Sequence, residues 1–135
     1  MEHLTSVEYM TSDKSYRNLS NEEFRIIQFL AAKAHYKRPN WEIGLKVCEL
    51  QDGMGSLLLL PKESAGKNRI FKEQISDIMF KDADGIPVIV SLNIDKDDCL
   101  FELDVWKINF DRVVNYENLF QVIEESSSII GDGFQ

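Results

Sequence analysis

The sequence predicts an α+β fold, a single antiparallel sheet of about five strands with an N-terminal helix packed on one face and a C-terminal helix at an edge or on the same side. Three observations predict it. A capped apolar stripe of helical period follows residue 20, extended runs separated by Asp-rich turns fill residues 70–110, and a second amphipathic stripe through Tyr116, Leu119, Phe120 and Ile123 follows them.

The elements follow in order. Residues 1–19 are polar with no sustained period and read as a loose or partly docked arm. Ser20-Asn21-Glu22-Glu23 is a capping box, in which a Ser hydroxyl and a Glu carboxylate three residues on satisfy the free amides of a helix start. Phe24, Ile27, Leu30, Ala31 and Ala34 then recur at helical steps, widened by Ile26 and Phe29, and Pro39 marks the end at the latest. Residues 41–50 alternate loosely, with Ile43, Leu45 and Val47 on one side of an expected strand. Gln51 to Gly55 forms a turn, and residues 56–60 are an apolar run suited to a strand buried on both faces. A polar loop follows from Pro61. Its Ala65-Gly66-Lys67-Asn68 lacks the upstream Gly and the Ser or Thr after Lys that a phosphate loop requires.

The meander is the best-defined part. Asp82-Ala83-Asp84-Gly85 and Asp95-Lys96-Asp97-Asp98 are turn signals dividing three extended runs. A four-residue second turn sets Leu92 opposite Phe101, Val90 opposite Leu103 and Val88 opposite Val105, so one face is apolar and faces the core. The run over residues 70–80 fits neither register alone, since one buries Phe71, Ile75 and Met79 and the other Ile78 and Phe80. A bulge near Ser76 reconciles the two halves. After the second helix come Ser126-Ser127-Ser128 and a Gly-containing tail, giving one domain over residues 20–126, an arm over 1–19 and a tail over 127–135.

Charge is distributed unevenly. Residues 1–68 hold nine basic and nine acidic side chains, whereas residues 69–135 hold six against fourteen, so the second half carries the whole net charge of -8. An acidic chain disfavours nucleic acid and anionic lipid, which are bound through clustered Lys and Arg, and favours a cationic partner. No apolar run approaches the roughly 18 residues of a membrane span, and the first residues lack the basic and apolar regions of a signal peptide, so a cytoplasmic location is expected. Cys48 and Cys99 sit in apolar runs without metal-spaced partners and read as buried free thiols. No cofactor and no metal is called for, and oligomeric state is left open.

Glu102, Asp104 and Trp106 alternate along one strand and project from one face. Two carboxylates beside a large aromatic suit recognition, because Trp supplies anchoring area while the acids select a cationic partner and speed its approach. Asp84, Asp97 and Asp98 in the turns extend this candidate surface. Competing readings are weaker. The carboxylate pair lacks the aromatic sugar cleft that glycoside hydrolysis needs, and neither Asp-rich turn has the ligand spacing of a calcium loop. His35 stands at a helix end with no nucleophile motif around it. Gly53-Met54-Gly55 reads as a tight turn, with a ligand-contacting backbone as the minor alternative.

Three segments, Asp52-Gly53-Met54-Gly55-Ser56-Leu57, the run from Phe80 to Val88 and the run from Phe101 to Lys107, resemble a family of small uncharacterised bacterial domains, from the first helix through Phe110. In size and charge the chain is also similar to immunity proteins that neutralise toxic nuclease domains. Together these imply a non-enzymatic binding protein whose acidic surface covers a basic toxin domain. The contending expectation is a small enzyme or ligand-binding domain with a pocket between sheet and helix, and a third is self-association through a strand edge.

Overall fold

The computed structural model describes residues 16–133, with side chains through 126. The arm before residue 16 and the last two residues therefore lie outside the described part. In chain order the elements are β1 (Arg17–Asn18), α1 (Asn21–Lys33), β2 (Lys46–Glu49), β3 (Leu57–Leu60), a 3-10 turn (Lys62–Ser64), β4 (Phe71–Lys81), β5 (Pro87–Asp95), β6 (Leu100–Lys107) and α2 (Glu117–Gly133). They form the expected α+β architecture with six strands rather than about five, in one antiparallel sheet of order β1-β2-β3-β6-β5-β4. The added strand is β1, which pairs Arg17 with Val47 and Asn18 with Lys46, so the end of the arm is docked. The C-terminal helix runs on through Ser126 to Gly133.

Ser20 caps α1 as its sequence requires: its Oγ accepts from the Glu23 amide, and Glu23 accepts in return from the Ser20 amide. The apolar stripe buries Ile26, Ile27, Leu30 and Ala31 against Val88, Val90, Leu92, Leu103 and Val105 of the sheet. Leu119 and Ile123 of α2 join the same core, so both helices cover one face. β3 is buried on both sides: Leu57 and Leu59 enter the main core, while Leu58 joins Cys48, Leu50 and Phe101 in a smaller cluster. Both thiols are free and buried.

Three details differ from the sequence expectation or complete it. The strand expected over residues 41–50 forms only at Lys46–Glu49, because positive φ at Asn40 and Gly44 turns the chain, with the Ile43 amide donating to the Asn40 carbonyl. Ile43 is therefore exposed, and Trp41 stacks on Phe24 at 6.1 Å. In β4 the expected bulge appears between Gln74 and Ser76, with a second irregularity between Phe71 and Glu73. Ile78 and Phe80 go to the core and leave Phe71 and Met79 exposed. The second hairpin keeps its apolar face but is registered two residues away from expectation, pairing Leu92 with Leu103, Val90 with Val105 and Val88 with Lys107. One residue of the difference comes from the turn, where Asp95 bonds Cys99 around Asp98 at φ 65, and one from a bulge after Leu100. The two single-residue displacements together keep Leu103 and Val105 on the core face, whereas Phe101, expected there opposite Leu92, falls on the bulge and joins Leu58 in the smaller cluster.

Buried ion pairs lock the two ends of this hairpin. At one end Arg69 reaches Asp95 at 2.8 Å and donates to the Leu59 and Leu100 carbonyls, with its guanidinium 4.9 Å from the centre of the Phe101 ring. At the other, the fully buried Lys107 amine lies 2.9 Å from Asp82 and 2.6 Å from Asp84. Burial pushes the Asp82 carboxyl upward, but Lys107 and the Val114, Ala83 and Asn115 amides outweigh it and hold the carboxyl down to about 2. On β4, at the sheet margin, the Asp77 carbonyl accepts from Lys33 and the Lys81 carbonyl accepts from Asn118, so side chains from both helices reach the edge strand.

Candidate functional site

The face of the sheet away from the helices is the one on which Glu102, Asp104 and Trp106 project. Alternation along β6 sends Leu103, Val105 and Lys107 into the core and leaves Glu102 half-buried and Asp104 and Trp106 exposed. The pairing of β4, β5 and β6 then assembles two neighbouring rows. Met79 stands opposite Ile89, which stands opposite Trp106, and one step along Asp77 stands opposite Ser91, which stands opposite Asp104. Met79 is 63% exposed and Trp106 43%, an apolar pair separated by the half-buried Ile89. Glu102 comes next, opposite Asn93 and accepting from its amide at 3.3 Å.

The acids differ in setting. Asp104 is exposed as a residue, yet its carboxyl end lies against the β2–β3 turn. Burial there pushes it above the ordinary carboxylate range, the Ser56 hydroxyl at 3.4 Å opposes that, and Asp52 reinforces it. Asp52 is fixed because its Oδ1 accepts from the Met54 and Gly55 amides. The Ser56 hydroxyl also accepts from the Val105 amide at 2.8 Å, which pins the turn to β6. An approaching cation meets at Asp104 a carboxylate that solvent screens incompletely, where opposite charge counts for more than on a fully wet surface.

A family model described as a domain of unknown function, DUF6984, matches residues 16–117. The chain belongs to this family. The match runs from the residue before β1 to the first residue of α2, and so includes Arg17 and Asn18 as well as the whole sheet. Among curated proteins and among solved structures, no match is found.

Within this DUF6984 domain the remaining candidate acids occupy the two hairpin ends rather than the open face. Asp84 is exposed in the β4–β5 turn but bonded to Lys107, and Asp98 in the β5–β6 turn bonds Lys72 at 2.7 Å. Asp97 is exposed beside Asp98, its carbonyl accepting from Arg38. The structure thus gathers Glu102, Asp104 and Trp106, and sets Asp84 apart from Asp97 and Asp98 at opposite ends of the hairpin. Sequence reasoning missed Asp77 and Met79 as members of the face, although a settled β4 register places both by parity, whereas the parity of the second hairpin already sets Ile89 there. His35 lies exposed just beyond α1 with φ 55, on the helix-bearing side, so it does not meet Glu102 and Asp104 on the opposite face. No helix among the described residues is long and apolar enough to cross a membrane.

Proposed function

We propose that this DUF6984 domain is a non-enzymatic, cytoplasmic binding protein that holds a cationic protein on its open sheet face, and that it acts as a bacterial immunity protein against a basic, nuclease-like toxin domain. The observation that carries the reading is the pair of neighbouring rows, Met79–Ile89–Trp106 and Asp77–Ser91–Asp104, uncovered by either helix. An exposed Trp beside carboxylates supplies both halves of a recognition surface, an apolar anchor and charge that selects and steers a basic partner. Lys81 at the end of β4 is the basic side chain nearest this row in the register, opposite Pro87, so Asp77, Glu102 and Asp104 set the sign of the face.

The test is to read the neighbouring coding sequence and to measure the affinity of the full chain for the protein it encodes by titration calorimetry at several salt concentrations. Trp106→Ala is expected to weaken binding about 30-fold, the effect of losing a central anchor worth about 2 kcal/mol. Reversing Glu102 and Asp104 to Lys is expected to weaken it further and to flatten the salt dependence, with circular dichroism unchanged. Undiminished capture by these variants removes the face from the interface, and a neighbouring protein that is not a toxin removes the immunity role while leaving the binding role standing.

A further inference from the structure

A cavity of about 150 Å³ lies on the helix side of the sheet, on the other side from the open face. Its floor is apolar, formed by Ile26, Leu57 and Leu103. Met54 and Gly55 of the Asp52–Leu57 segment line it, and Gly55 holds φ +117, where a side chain is strained. The missing side chain leaves room: a Cβ on Gly55 would stand 3.5 Å from the Tyr116 hydroxyl. The Tyr116 ring is fixed against Phe80 at 5.8 Å, and its hydroxyl has no hydrogen-bond partner among the described residues. Burial pushes that hydroxyl up to about 12, so it stays protonated and can donate.

The charged lining largely cancels itself. Arg17 is shared by Glu23 at 2.8 Å and Glu49 at 3.1 Å, and with Glu22 and Arg112 the lining holds two cations against three carboxylates, which disfavours an anionic ligand. We infer that this cavity is a binding site for a small uncharged molecule, ring-sized and apolar apart from one hydrogen-bond acceptor, which Tyr116 receives. A void of this volume is roughly what one benzene fills. An apolar floor beside a few polar groups is the usual build of a small-molecule site, in which a polar group such as the Tyr116 hydroxyl fixes orientation. The site stands whether or not the open face binds a protein.

Cyclohexanone is the probe, benzene the apolar control and benzoate the charged one, each titrated into the full chain while the Met54, Leu57 and Leu103 methyl signals are followed by NMR. Saturable shifts of these methyls are expected with cyclohexanone and benzene and not with benzoate. Tyr116→Phe, which removes one oxygen and leaves the ring packing, is expected to weaken cyclohexanone about fivefold and to leave benzene unchanged. A melting curve verifies that the variant folds. No saturable shift with cyclohexanone, tighter binding of benzoate, or an equal effect of Tyr116→Phe on cyclohexanone and benzene overturns the inference.

Discussion

Replacing Arg69 with Met is expected to cost the fold about 3 kcal/mol. The Arg69 side chain is 10% exposed and that of Asp95 2%, so neither partner can return to water when the other is removed. Breaking such a pair from one side costs about 3–5 kcal/mol, because a charge is left buried without its counter-ion. Asp95 is not wholly stranded, since its Oδ1 keeps the Asp97 amide at 2.9 Å and the Cys99 amide at 3.0 Å. That compensation places the loss at the lower end of the range. The Leu59 and Leu100 carbonyls lose a charged donor, and Phe101 loses the guanidinium above its ring. Met fills much of the same volume, so the change reports charge and hydrogen bonding more than packing. Urea unfolding at pH 7 measures it directly, and a loss of about 3 kcal/mol corresponds to roughly 10 °C in Tm for a chain of this size. Asp95→Asn alone is expected to be destabilising as well, and the double variant less so than the two added together. Strict additivity, or a loss for Arg69→Met below about 1 kcal/mol, would refute the claim that this buried pair locks one end of the β5–β6 hairpin.

Asp82 gives the fold an acid limb. Its carboxyl titrates at about 2 in the folded chain against 3.8 ordinarily, so its contribution is fully present above pH 4 and is lost as pH falls toward 2. Asp82→Asn should accordingly be destabilising at neutral pH, with a gap to wild type that narrows on acidification, read from urea midpoints across pH 2–7. Ser20→Ala removes the hydroxyl cap of α1 and should cost about 1 kcal/mol by the same assay. Gly44→Ala places a Cβ 2.5 Å from Lys62 Cδ at φ +74. It should be destabilising, and Lys62→Ala on the same chain should recover the clash but not the roughly 1–2 kcal/mol backbone cost of a left-handed L-residue.

Much of this architecture was legible because local signals agreed with one another. The Ser20 to Glu23 box and the stripe behind it define α1 without tertiary help, and the alternation from Val88 to Val105 fixes which face of the hairpin is buried whatever its register. The register itself was not legible, since it depends on Asp98 adopting positive φ and on a bulge after Leu100, neither of which leaves a pattern of period two. Ile43 looked inward by alternation, but a turn closed by Asn40 and Gly44 overrides that pattern. Of the candidate surface, Glu102, Asp104, Trp106 and Ile89 followed from parity, and Asp77 and Met79 waited on β4. Lys107 was within reach and passed over. The parity that buries Leu103 and Val105 buries it too, and Asp82 and Asp84 lie in the turn at the same end of the sheet.

The hold that Lys33 and Asn118 keep on the backbone of β4 bears on how the molecule can meet others. Lengthening the array by one more extended segment would require both contacts to be given up first. Pairing of copies through the β4 rim is thereby discouraged.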